Sequence, residues 1–166
     1  IRRFQKETQE NGCIVSYIHG GGRIGVLVKA ETAVVNDAVK EALTNVAMQV
    51  AALAPKYVSS EDVSEEYKEH EKAILLAQAK NENPDKPENI IEKMIIGRLN
   101  KELKEVCLME QAYVKAEDGK QTVAKYLQQV SKEVGSDIKI TGFVRFETGE
   151  GLEKKSEDFA AEVAAQ

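Results

Sequence analysis

The chain has 166 residues, 42% hydrophobic, 31% charged and only 5% aromatic, with a formal net charge of −5 at pH 7. That length supplies one real core, or one core with a projecting element. The acidic balance argues against a specific nucleic-acid partner, whose binding is driven by Lys and Arg against phosphate, and no apolar run approaches the roughly 20 residues needed to span a bilayer.

Residues 13–19 are rich in β-branched and aromatic types and read as a strand. Gly20-Gly21-Gly22 breaks it, and Ile24, Val26 and Val28 then recur at every second position through residues 23–29. Glycines permit the positive φ values of a tight turn, so the pair reads as a β-hairpin. From Asn36 the period changes. Val39, Leu43, Val46, Val50 and Ala54 fall on one helical face. Asn36 is placed to cap this helix, Asp37 favours its first turn, and Pro55 ends it. Met48 reads as core packing. Gln49 falls off the apolar stripe and reads as exposed, either solvated or meeting a partner.

A second helix starts near Ser64, with Glu65 and Glu66 in its first turn and Tyr67, Ile74 and Ala77 on one side. After a polar break at residues 81–86, Pro87 fits the first position of a third helix, whose apolar residues are Ile90, Ile91, Met94, Ile95 and Leu99. So short a connection makes the two helices antiparallel neighbours. Their charged outer surface suits an arm projecting from the body. Residues 121–134 read as a helix with Val123, Leu127 and Val130 buried. Residues 137–147 read as a third strand, in which Ile138, Ile140, Val144 and Phe146 alternate with Lys139, Thr141 and Arg145. Gly142 marks a bulge or a close backbone approach. Gly149 and Gly151 open a turn, and Ser156 caps a final helix in which Phe159 and Val163 pair at i, i+4.

Strands and helices are segregated rather than alternating. The expected fold is therefore α+β: a small three-stranded antiparallel sheet with packed helices and a projecting antiparallel helical hairpin. Residues 1–58 form the first part of the α+β domain, 59–107 the hairpin insertion, 108–150 the second part, and 151–166 a C-terminal helical module. A sheet of this size with one exposed face is marginal alone and a candidate for dimerisation.

The chemistry-bearing residues form no catalytic constellation. Gly20-Gly21-Gly22 lacks phosphate-loop spacing and joins two strands. His19, at a strand end, reads as a structural hydrogen bond or a rim contact; His70, between Glu69 and Glu71, reads as solvated. Glu65, Glu66, Glu69 and Glu71 read as a solvated helix face, with no calcium loop around them. Cys13 and Cys107 have no metal-ligand spacing. One disulfide is a reading they allow; two reduced thiols in a cytosolic protein is the default, since no signal peptide precedes them. The start at Ile1, without Met, reads as a processed chain or a piece of a longer one. An enzyme is the least expected class, and no cofactor or metal is expected.

One set of segments adds to this reading: Ile24-Gly-Val-Leu-Val28, Ala47-Met-Gln-Val-Ala-Ala52 with Pro55, Lys86-Pro-Glu88, Glu92-Lys-Met94, Gly97-Arg-Leu99, Leu108-Met-Glu-Gln111, Thr122-Val123 and the tail from Gly142 to Ala165. Collinear over nearly the whole chain, the set resembles bacterial-type translation elongation factor Ts, the nucleotide exchange partner of the GTPase elongation factor Tu. In that family a preceding half carries a Thr-Asp-Phe motif whose Phe wedges in near the magnesium site of elongation factor Tu. No Thr-Asp-Phe occurs here. The resemblance is therefore to the C-terminal half, the dimerisation domain with its helical hairpin and C-terminal module.

The resemblance implies contacts to elongation factor Tu at Ile24, at Gln49, at Val114 and Lys115, and at Phe159 and Val163 of the tail helix. The family commonly has His at the position of Gln49. A neutral amide does not titrate near neutral pH, which puts a histidine-dependent peptide flip in question. Ala112-Tyr113 stands where the family usually has Pro-Phe, implying a looser turn. An exchange factor binds the empty GTPase more tightly than the nucleotide-bound one, with reciprocal coupling. The expected function is cytoplasmic: binding to elongation factor Tu and a contribution to GDP/GTP exchange, weak alone, without direct nucleotide binding. Two other classes stand beside it: a homodimeric structural module packing sheet on sheet, and an RNA-binding accessory domain with steep salt dependence.

Overall fold

The computed structural model describes residues 3–152; the expectations placed on Ser156, Phe159 and Val163 lie outside them. β1 (Gly12–His19) and β2 (Ile24–Glu31) run antiparallel, joined by one 3-10 turn at Gly20–Gly22. The three turn glycines have φ of 59°, 64° and 95°, the positive range that favours glycine. β3 (Lys139–Glu147) adds antiparallel to β2, giving the order β1-β2-β3.

The β2–β3 register carries a bulge. Lys29 faces Gly142 while Ala30 faces Ile140, so Thr141 is the extra residue. Gly142 has its own role beside the bulge: a Cβ there would lie 3.0 Å from Cε of Lys29, which crosses that spot. The bulge reverses the alternation along β3. Val26, Val28 and Ala30 point into the core, and their partners across the ladder are Arg145, Phe143 and Ile140. Val144 and Phe146 thus share the opposite face with Leu27, Ser16 and Ile18. This corrects the expectation that Ile138, Ile140, Val144 and Phe146 line one face. Residues preceding β1 cross that outer face: Arg3 stacks over the Phe146 ring at 4.2 Å, Glu7 pairs with Lys29, and Thr141 Oγ1 donates to Gln9.

α1 (Asp37–Leu53) lies against the inner face of β1 and β2. Asn36 caps it as expected, its Oδ1 accepting from Val39 N at 2.9 Å. Val39, Leu43, Val46 and Val50 are buried, joined by Ala42, Ala47 and Ala51. Ala54 is not the end of that stripe. It takes a left-handed conformation, φ 45°, and is exposed where the helix breaks before Pro55.

α2 (Glu65–Glu82) and α3 (Glu88–Val106) form the arm. Ser64 caps α2, accepting from Tyr67 N, and Pro87 precedes α3 at its capping position rather than inside it. The seam between them is Leu75, Leu76 and Ala79 against Ile91 and Ile95. Ile74 and Ala77, expected inside, are exposed, and so is Ile90. Among the described elements the two helices pack only on each other. The arm stands on one foot: Lys56 N donates to Val106 O at 2.8 Å, Leu108 N to Tyr57 O at 2.9 Å, and Tyr57 and Cys107 form a parallel bridge.

α4 (Val123–Val134) is capped by Thr122, ends at left-handed Gly135 and packs on α1. Val123, Leu127 and Val130 are buried as expected and complete the core with Leu108, Ile138 and Ile140.

The backbone makes two glycines very unequal. At Gly12, φ 134°, an added Cβ would fall 2.0 Å from the Ala30 carbonyl oxygen, whereas at Gly21, φ 64°, nothing lies within 4 Å. Gly21→Ala is expected to cost about 1 kcal/mol and Gly12→Ala about 3 kcal/mol or more, because only the latter adds a backbone clash to the strain. Urea midpoints of the two variants check this order.

Candidate functional site

Gln49 comes from the middle of α1 and is 0% exposed. This corrects the expectation that it falls off the apolar stripe and is exposed, either to solvent or to a partner. Neighbouring Met48, expected in the core, is half-buried instead. The Gln49 amide is fully engaged with the segment that follows the arm. Its Nε2 donates to Gln111 Oε1 at 3.1 Å and to the Ala112 carbonyl at 3.0 Å, and its Oε1 accepts from Val114 N at 2.8 Å. Leaving any of these buried groups unpaired costs about 1–3 kcal/mol.

Gln111, 3% exposed, passes the connection on, its Nε2 donating to the Glu105 carbonyl in the last turn of α3 at 2.7 Å. Its own backbone is pinned at both ends, Gln111 N donating to Cys107 O and Val123 N to Gln111 O. Next to it, Glu110 Oε1 accepts from the backbone and hydroxyl of Ser60, at 3.0 and 2.9 Å, tying the loop that enters the arm to the segment that leaves it.

Beyond Gln111 the chain turns outward. Ala112 pairs with Thr122 in an isolated bridge, and Tyr113 N donates to Gln121 O. Tyr113 is buried and stacks on Tyr126 of α4 with ring centroids 4.3 Å apart and planes 14° from parallel. Burial and the neighbouring Tyr126 push the Tyr113 phenol above its ordinary range. The expected looseness of this turn is therefore not found; the stack and the Gln49 amide hold it. The next two side chains are outside. Val114 is 48% exposed, and Lys115 Nζ donates to Asn45 Oδ1 at 2.7 Å, one turn before Gln49 on α1. Asn45 in turn donates to the Tyr126 hydroxyl at 2.9 Å. Asp118 closes the loop by accepting from Lys120 N and Gln121 N, bonds that hold its carboxyl below the usual range.

The structure thus brings Gln49, Val114 and Lys115 together, with Gln49 inside and the other two at the surface. Ile24 belongs to another element, half-buried at the hairpin end of the sheet opposite His19 and Glu147. His19 there accepts or donates a hydrogen bond with the Tyr17 hydroxyl at 2.9 Å. Gln111, Asn45 and Tyr126 were missed as site residues. The available signal was a glutamine flanked by Val46 and Val50 on an otherwise apolar helix: a polar group there needs buried partners. Both cysteines are free thiols. Among the described residues there is no cluster able to hold a metal ion, and no helix long and apolar enough to cross a membrane.

The family model described as Elongation factor TS matches residues 1–150. The chain belongs to the elongation factor Ts family. Over 166 residues it is 55% identical to elongation factor Ts of Clostridioides difficile strain 630 and 53% identical to that of Clostridium kluyveri strain NBRC 12016, covering 100% of this chain and 53% of each relative. The protein of the same name from Clostridium perfringens strain 13 is 52% identical over 164 residues, again 53% of its length. The chain spans about half the length of these curated relatives.

The foot of the arm carries a buried titratable group, the Cys107 thiol. Burial first, then the Glu110 and Asp62 carboxylates, push the Cys107 thiol from 9.0 up to about 11. A raised thiol pKa means the folded chain holds its proton where the unfolded chain has lost it. The stability this gives is present below pH 9 and is lost as pH rises toward 11. Urea unfolding at pH 8 and pH 10.5 is expected to show that loss, and Cys107→Ala is expected to reduce it.

Proposed function

We propose that this chain binds the GTPase elongation factor Tu and contributes to GDP/GTP exchange in the cytoplasm during polypeptide elongation. Membership of the elongation factor Ts family over residues 1–150 carries this reading. The geometry supports it in one respect: an exposed apolar Val114 and a cationic Lys115 are held out by a buried amide network rather than left on a loose loop. In this reading Val114, Lys115 and Ile24 meet the partner, with Phe159 and Val163 adding a contact from the tail. Gln49 serves that surface from beneath. Residues 59–107 are an inserted arm between two parts of the α+β domain, 1–58 and 108–150, and 151–166 a terminal module.

The mechanism is differential binding. A partner that holds the nucleotide-free GTPase more tightly than the GDP-bound one must weaken GDP by the same factor. The chain needs no catalytic group or direct nucleotide contact for this. The sequence holds no Thr-Asp-Phe wedge, so on its own it supplies binding energy with weak coupling to the nucleotide site. Stopped-flow release of fluorescent GDP from elongation factor Tu tests the reading. Saturable binding with slight acceleration is expected, and Val114→Asp is expected to weaken binding about tenfold, roughly 1.4 kcal/mol. Absence of binding by the unmodified chain would overturn the proposal; strong acceleration would refute the weak-coupling part.

The outer sheet face favours a second reading, a homodimer packed sheet on sheet. Ile18 is 65% and Phe4 87% exposed, beside Leu27, Val144 and Phe146. Sedimentation equilibrium is expected to show a concentration-dependent mass that Ile18→Lys abolishes; a constant monomer mass would reject this reading.

A further inference from the structure

We propose that Gln111, which has no surface to offer a partner, is a positioning residue for partner contact: through Gln49 it ties the direction of the arm to the placement of Val114 and Lys115. The proposal rests on reading Val114 and Lys115 as contacts for elongation factor Tu.

The connection is a relay of hydrogen bonds with one sense. Val114 N–H donates to Gln49 Oε1 at 2.8 Å, Gln49 Nε2 to Gln111 Oε1 at 3.1 Å, and Gln111 Nε2 to the Glu105 carbonyl at 2.7 Å. A primary amide carries donor and acceptor at one end, so each glutamine receives a bond and hands one on. Bonds in such a chain polarise one another, and the low dielectric makes a break at any link costly. Both side chains are buried, so water does not stand in for a lost link.

The far end of the relay is mechanically significant. Glu105 lies in the last turn of α3, and the arm packs on no other described element. Among the described residues its direction is set at its foot, by the backbone bonds from Lys56 and Tyr57 to Val106 around the Tyr57–Cys107 bridge, the edge-on contact of the Tyr57 and Tyr67 rings, the Ser60–Glu110 bonds and the Glu105–Gln111 bond. The others join the two chain segments of the foot to each other and to the arm. The Glu105–Gln111 bond is the one that continues through the Gln49 side chain to the backbone that presents Val114. A tilt of α3 displaces the Glu105 carbonyl, and the relay transmits that displacement to the Val114 amide.

Hydrogen exchange resolved at single amides by NMR tests this on the 166-residue chain, with exchange expressed relative to the unstructured rate. Gln111→Leu touches no atom of Val114 and leaves the Gln49–Val114 bond chemically intact. Protection of the Val114 amide is nevertheless expected to fall about tenfold, and affinity for elongation factor Tu about fivefold. Unchanged Val114 protection would overturn the relay. Should Gln111→Leu fail to fold, Gln111→Glu poses the same question through pH. Its protonated carboxyl retains both donor and acceptor; once ionised it has no donor for Glu105. Val114 protection in that variant is expected to step down as pH rises through a carboxyl pKa lifted by burial above the ordinary value of about 4.3, with no such step in the unmodified chain. A flat profile would overturn the proposal. Val114→Asp separates the two readings: if it binds elongation factor Tu normally, the contact assignment has failed; if it does not bind while Gln111→Leu loosens Val114 and binds normally, the positioning role has failed.

Discussion

A buried amide with every hydrogen-bonding group committed decides how the three parts of this chain meet. Gln49 sits where the helix against the sheet, the segment leaving the arm and the surface turn converge, and it bonds to the latter two. An apolar side chain of the same volume would fill the space but would leave the Val114 amide and the Ala112 carbonyl without partners. The network works as a specification rather than as a large net stabilisation, since each bond replaces one to water. The tyrosine stack and the Lys115–Asn45 bond then orient the turn that Gln49 has anchored. The exposed Val114 is thereby a fixed feature of the surface.

The sheet shows how one inserted residue sets the character of both faces. Thr141 shifts the parity of β3, bringing Phe143 and Arg145 to the inner side and sending Val144 and Phe146 outward. Arg145 is there neutralised by Glu147 at 2.7 Å. The outer face becomes apolar near the hairpin and polar at Lys29 and Thr141, where Glu7 and Gln9 meet it.

Much of the fold was legible because local chemistry and burial agree. Asn36 caps α1 as its side chain predicts, α2 begins at Ser64, and the expected stripe of Val123, Leu127 and Val130 is the buried one in α4. Three features were not legible, each for a physical reason. The arm is apolar on several sides, so spacing alone did not choose Leu75, Leu76 and Ala79 over Ile74 and Ala77; the partner helix chose. The outward facing of Val144 and Phe146 was another: Gly142 marked the bulge beside it, but the change of parity that the bulge imposes depends on pairing with β2, and plain strand alternation does not carry it. Gln49 reads as exposed, whether solvated or meeting a partner, only while polarity is taken for exposure; it is fully buried. Ala42 and Ala47 disguise the width of the buried stripe, which includes it. The family itself was legible from collinear segments that no single helix or strand would have revealed.

The arm leaves and re-enters the body at adjacent points, Tyr57 and Cys107. Its hydrophobic seam shares no residue with the main core. Its length is therefore a free variable of the architecture. Whole turns added or removed at the 83–87 tip would change its reach by about 1.5 Å per residue per helix while the closure at its base stayed the same. Evolution can thus edit how far this protein reaches without renegotiating how its body folds.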